Sequence, residues 1–164
     1  MQKVHINASR SYDILIGSGL LDNAGKYISD AITSRHVCVV TDDAVDALYS
    51  DRMLRTLEQN GFSAVKFVFP HGEAQKSHKT LIELYDFLAD NGFTRSDALI
   101  ALGGGVVGDL TGFAAASYMR GIGFVQVPTT VLAQTDSSVG GKTAVDIAGG
   151  KNLVGAFYQP QLVL

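Results

Sequence analysis

A chain of 164 residues with 46% hydrophobic and 18% charged side chains suits one domain of ordinary size with a well-stocked core. The formal net charge of -3 argues against a general nucleic-acid binder, and a single cysteine excludes an internal disulfide. His5, Asn7 and Ser9 stand where a secretion signal needs an apolar run. No run approaches the ~20 apolar residues of a membrane helix, so a cytoplasmic protein without a membrane partner is expected.

In chain order, Val4 to Ile6 and Tyr12 to Ile16 predict two short strands suited to a hairpin. His36 to Val40 reads as a buried strand ending in Thr41-Asp42-Asp43, with Cys38 as a small core hydrophobe. Residues 44 to 60 predict a helix with Val45, Leu48, Leu54 and Leu57 on its inner stripe, stopped by Gly61. Ala64 to Phe69 is a strand ended by Pro70. Residues 75 to 90 form an amphipathic helix with Leu81, Leu84, Tyr85 and Leu88 inward. Ala98 to Leu102 is another buried strand, 106 to 119 a helix, and Ile122 to Val127 a strand closed by Pro128. Strands alternating with helices imply an α/β fold: a parallel Rossmann-like sheet covered by helices on both faces, with an N-terminal β-hairpin. Gln161 to Leu164 opens one more apolar strand, and the expectation is a piece of a longer protein.

The 18 glycines lie largely after residue 100. Glycine clusters cost backbone entropy and mark places where the backbone comes close to a ligand. Leu99-Ile100-Ala101-Leu102-Gly103-Gly104-Gly105-Val106-Val107-Gly108-Asp109 fits strand, GxGxxG, then helix. That geometry turns tightly and aims free N–H groups of a helix N-terminus at a pyrophosphate. A lone GxGxxG is weak evidence. The acid expected ~20 residues later is missing, but Asp42 ends an earlier strand and is placed to take a ribose instead. Each of these residues also has a plain role. Asp109 suits the helix dipole, and Asp42 or Asp43 suits an N-cap. Thr129 or Thr130 in Pro128-Thr129-Thr130 suits a cap, and Arg120 suits the end of a helix. His71, Glu73 and His78 match no defensible metal-ligand spacing.

Gly140-Gly141-Lys142-Thr143 resembles the end of a phosphate-binding P-loop, but Asp136 stands where that loop needs its first glycine. A carboxylate there repels a polyphosphate, so the P-loop reading fails. Lys142, Lys151 and Asn152 lie in a glycine-rich, acid-poor region, where lysines gathered with an arginine favour an anionic substrate.

Several motifs in order carry a resemblance to one family. They are Gly103 to Asp109, Arg120-Gly121, Val127 to Thr130, Asp136 to Lys142, and Gly150-Lys151-Asn152 through Pro160. Together they closely resemble 3-dehydroquinate synthase, continuously from about residue 97 to 160 and covering the family's N-terminal domain. Asp42, Glu73 and Lys76 fall where that family has them; His71 and Ala44 depart from its pattern. The resemblance implies a carbon-oxygen lyase of the shikimate pathway to chorismate and the aromatic amino acids. It would convert the seven-carbon keto-acid phosphate DAHP to 3-dehydroquinate and phosphate. Family members use NAD catalytically, oxidising a ring hydroxyl, eliminating phosphate and reducing the ketone again. A divalent metal, zinc or cobalt, serves as Lewis acid.

The resemblance further implies that Asp42, Glu73, Lys76, Gly105, Val106 and Asp109 hold NAD, together with Thr129, Thr130 and Lys151. On the same resemblance Gly104, Val107, Gly108 and Lys142 would belong to this cofactor site. Asp136, Lys142 and Asn152 would contact the substrate, and Arg120 would reach the phosphate across a homodimer. On this reading residues 1–164 are one NAD-binding α/β domain. The metal ligands sit in a helical C-terminal domain outside it, so the chain alone is expected to be inactive. Two rivals remain: a 2-deoxy-scyllo-inosose synthase-like cyclase, and a nucleotide-binding or assembly module without catalysis.

Overall fold

The computed structural model describes residues 1–164. Strand β1 (Gln2–Ile6) turns back into β2 (Tyr12–Ile16) as an antiparallel hairpin. Helix α1 (Ala24–Ala31) leads into β3 (His36–Asp42). Helices α2 (Asp43–Val45) and α3 (Asp51–Gln59) connect β3 to β4 (Ser63–Phe69), and α4 (His78–Asp90) connects β4 to β5 (Ala98–Gly103). Helix α5 (Gly105–Ser117) then leads to β6 (Gly123–Pro128). Strands β7 (Lys142–Ile147), β8 (Gly150–Phe157) and β9 (Leu162–Val163) close the chain.

The main sheet has seven strands in the order β1-β2-β9-β6-β5-β3-β4, and every pairing after β1–β2 is parallel. Successive strand side chains point to opposite faces. Val37, Val39, Ile100 and Leu102 therefore pack against Ile28 of α1 and Leu57 of α3. Cys38, Val40, Leu99 and Ala101 pack on the other face against Leu84 and Leu88 of α4 and Leu110 of α5. With helices on both faces these strands need no polar alternation, which is why they are unbroken apolar runs. Burial pushes the Cys38 thiol up to about 12, so it serves as a core hydrophobe.

The structure adds to and corrects the predicted elements. Leu48 does not face inward: it is 70% exposed. Residues Asp46–Ser50 form a π-helical turn, and its wider turn rotates Leu48 away from the sheet. The helix expected from residue 75 starts at His78, because Ser77 caps it by accepting from the Thr80 N–H. The helix expected to reach residue 119 ends at Ser117. A tight turn follows, with Met119 at φ 49 and Arg120 at φ 66. Helix α1 and the hairpin β7–β8 have no counterpart among the predicted elements. That hairpin forms its own two-stranded sheet and packs on α5, where a Cβ at Gly112 would lie 2.4 Å from the Thr143 methyl.

Strand order fixes where a ligand can enter. β4 lies on one side of β3, whereas β5 and then β6 lie on the other. The order in which strands are added to the sheet therefore reverses between β3 and β5, and the crevice beyond their carboxyl ends is where open α/β sheets bind ligands. Asp42 ends β3 and Gly103 ends β5, so both stand at that crevice.

Candidate functional site

The glycine loop forms as the sequence predicts. Gly104 is the N-cap of α5 and provides no side-chain cap, which leaves the first-turn N–H groups of Gly105, Val106 and Val107 to another partner. A Cβ at Gly104 would come 3.2 Å from the Thr130 methyl, and one at Gly105 would come 3.2 Å from Ser137 Oγ. The backbone is thus open to a close ligand only because side chains are absent. Val107 is buried and offers a ligand its backbone alone, whereas Gly108 donates its N–H to the Gly104 carbonyl and makes room for Gln126. Beside this loop, Thr129 Oγ1 and Ser137 Oγ are buried without a hydrogen-bond partner. An orphaned buried hydroxyl costs free energy unless a ligand or water completes it. Ser137 carries no predicted role. Its signal lay in the Asp136-Ser137-Ser138 run, but nothing in the spacing says which serine faces the loop.

The plain roles of the flanking residues are realised. Asp42 accepts from the Val45 N–H at 2.9 Å and caps α2, and Thr130 Oγ1 accepts from the Ala133 N–H at 3.3 Å. Asp43 accepts from both the backbone N–H and the ring of His71, which draws the 71–76 loop toward the crevice.

A buried ion pair ties the site together. Lys76 is 5% exposed, and its Nζ lies 2.5 Å from Asp109 Oδ2. The same ammonium donates to Asn152 Oδ1. Burial pushes the Asp109 carboxyl above its ordinary value, and the Lys76 charge opposes that rise. Breaking such a buried pair by removing one partner costs about 3–5 kcal/mol.

The charged cleft next to this pair has a volume of about 450 Å³. Asp109, Asp136, Lys142 and Asn152 line it, with Leu153 and Phe157 of β8 as apolar wall. Lys142 Nζ sits 2.7 Å from Asp136 Oδ1, both half exposed or more. Gly140-Gly141-Lys142-Thr143 leads into a strand, not the helix a P-loop requires. Lys151 pairs with Glu73 at 3.0 Å, and that carboxylate holds the Lys151 ammonium above its usual range. Arg120 is not brought to this cleft. It is exposed beyond the far end of α5, and a 13-residue helix separates it from the glycine loop by about 20 Å.

A second cleft of about 500 Å³ lies beside β2 and β9, lined by Ile14, Leu102, Val127 and Val163. Thr129 is the one predicted site residue it shares, and no charged side chain enters it. The chemistry therefore belongs to the charged cleft. No group of three or more His, Cys, Asp or Glu side chains is placed to hold a metal ion. No helix is long and apolar enough to cross a membrane.

Residues 66–164 match the family described as 3-dehydroquinate synthase N-terminal. The chain is 51% identical over 153 residues to a 3-dehydroquinate synthase of Streptococcus suis, covering 93% of this chain and 43% of that protein. It is 50% identical over 165 residues to that of Latilactobacillus sakei, covering 100% of this chain and 46% of that protein. The chain thus spans less than half the length of these curated relatives. Among solved structures, it matches a 2-deoxy-scyllo-inosose synthase complexed with carbaglucose-6-phosphate, NAD+ and Co2+. That match has a TM-score of 0.91 and 30% identity, covering 99% of this chain and 44% of the other. A 2-epi-5-epi-valiolone synthase from Streptomyces hygroscopicus subsp. jinggangensis with NAD+ and Zn2+ bound matches at TM-score 0.84 and 29% identity, over 99% and 45% of the two chains.

Proposed function

The chain belongs to the family of 3-dehydroquinate synthase N-terminal domains, and on that premise we propose that the full-length protein is an NAD- and metal-dependent 3-dehydroquinate synthase. It acts on DAHP, releasing phosphate and 3-dehydroquinate in the shikimate pathway, in the cytoplasm and as a homodimer. This domain holds the cofactor. The observation that carries the reading is that Ser137, which lines the charged cleft, stands against Gly105 of the uncapped glycine loop.

The residues fit NAD. The α5 N-terminus offers N–H groups and about half a positive charge to a pyrophosphate. The orphaned hydroxyls of Thr129 and Ser137 offer further hydrogen bonds beside it. Asp42, with one carboxylate oxygen on its own helix cap, offers the other to a ribose. Bound there, the cofactor would supply reversible hydride acceptance. Lys142 leaves an exposed pair to meet an anionic substrate, Lys151 leaves its pair with Glu73 to hold the cofactor, and Asn152 and Asp136 meet the substrate's hydroxyls. Arg120 serves the neighbouring subunit's substrate phosphate. A metal does not fit residues 1–164, so in the full-length protein its ligands would come from outside them.

Calorimetric titration of NAD+ tests the reading, with Gly105→Asp as control. Saturable binding lost in the variant supports it, because the added side chain meets Ser137 and brings a negative charge to the loop. No binding by the folded chain at millimolar NAD+ would mean that the site forms only when a second domain closes it. The likeness to 2-deoxy-scyllo-inosose synthase favours a second reading, a cyclase of sugar phosphates. Turnover of glucose 6-phosphate in place of DAHP by the full-length protein would establish it. Turnover of neither would leave a nucleotide-binding module.

A further inference from the structure

The β7–β8 hairpin is irregular at one place. Val145 pairs with Val154 and Ile147 with Gly150, so a single residue of β7, Asp146, faces Lys151, Asn152 and Leu153 of β8. Extra residues on one strand make a bulge, a device that re-aims side chains near functional sites. Here the bulge carries Lys151 and Asn152, both ligand contacts in the function proposed above. Asn152 adopts φ 57. A left-handed backbone costs a non-glycine residue free energy and persists only where the surroundings hold it.

Asp146 supplies that hold. Its Oδ1 accepts the Asn152 backbone N–H at 2.8 Å. Its own backbone N–H donates to the Lys76 carbonyl at 2.7 Å, and it bridges Ser77 as an isolated parallel pair. Lys76 then reaches back through Nζ to Asn152 Oδ1 and to Asp109. A closed ring results. It runs from Asp146 to Lys76 through the backbone, from Lys76 to Asn152 through side chains, and from Asn152 back to Asp146.

We propose that Asp146 is a positioning residue that pins the bulge and so aims Asn152 and Lys151 into the charged cleft. The inference rests on the reading of those two residues as ligand contacts. What the Asn152 amide needs is an acceptor oxygen, not a charge. Asp146→Asn keeps an acceptor in place; Asp146→Ala removes it and leaves the bulge unpinned.

The test uses the full-length protein and two readouts: kcat/KM with DAHP, and amide hydrogen exchange of residues 147–153. Asp146→Ala is expected to speed exchange and lower kcat/KM, each by about ten-fold, while Asp146→Asn stays within about three-fold of wild type. Exchange unchanged in Asp146→Ala overturns the proposal. Equal damage from both variants overturns it too, since charge would then be the cause. A wild-type protein without turnover of DAHP would sink the proposed function, and exchange would still decide the role of Asp146. Melting temperatures in an Asn152→Gly background give an independent check. Glycine takes the left-handed backbone unaided, so Asp146→Ala should cost less there; an equal penalty in both backgrounds refutes the pin.

Discussion

The β7–β8 hairpin walls the charged cleft, the glycine loop borders it through Ser137 and Asp109, and the two offer a ligand opposite things. The loop presents backbone N–H groups on a helix whose side chains Val107 and Leu110 are fully buried. Nothing in it is charged before Asp109. The hairpin presents side chains, and each polar one already has a protein partner: Lys142 on Asp136, Lys151 on Glu73, Asn152 on Lys76. Magnitudes separate these pairs. The two lysine pairs are exposed and screened by solvent, so an anionic ligand displaces them easily. The Lys76–Asp109 pair is buried and does not open at that cost. Lys76 is therefore a strut between loop and hairpin, whereas Lys142 and Lys151 are the cations free to move.

Four substitutions test that contrast, from the largest expected effect to the smallest. Lys76→Met leaves Asp109 buried without its partner and should destabilise the fold by about 3–5 kcal/mol. In thermal unfolding that is a fall of roughly 10 °C or more for a domain of this size. A variant melting with wild type would show that the strut is not structural. Gly112→Ala drives a Cβ into the Thr143 methyl and should cost about 1–3 kcal/mol, loosening the hairpin from α5 while the glycine loop stays intact. Limited proteolysis would then cut within the hairpin first.

Asp109→Asn reads the buried charge. Burial raises the Asp109 pKa above its ordinary 3.8. Its stabilising contribution is complete below that value and is lost as pH rises through the folded pKa. The melting-temperature gap between wild type and variant should therefore move in favour of wild type as pH falls from about 7 to about 4. Movement the other way would mean that Lys76 outweighs burial. Lys142→Ala comes last: it should change stability by less than about 1 kcal/mol. Its effect should fall on binding of an anionic substrate, weakened about ten-fold or more.

The loop was legible because its signal is local. A strand, three glycines at fixed spacing and a helix occur in one run, and the backbone reads them in that order. Asp42 could be matched to it only as an acid at the end of another strand; the pairing of β3 beside β5 made them neighbours. The hairpin escaped because its strands lack a clean alternation, and β8 shows one face largely to solvent. The resemblance singles out Lys76 as a cofactor contact, but nothing local in the sequence shows that it is buried. Its burial comes from Asp109 and Asn152, 33 and 76 residues away in sequence.

What the sequence determined by itself is the chain of local choices. Apolar runs became central strands, Ser77 and Asp42 became caps, and the glycines became a loop that only small residues allow. What only the tertiary structure decided is which polar groups meet. Leu48 left the inner stripe because one π turn rotated it. Arg120 went to the opposite end of α5 from the cleft. Lys76, Asp109, Asp146 and Asn152 closed into one ring. Periodicity and capping act over three or four residues, whereas hydrogen bonds and ion pairs depend on distances set by the packing of the whole sheet.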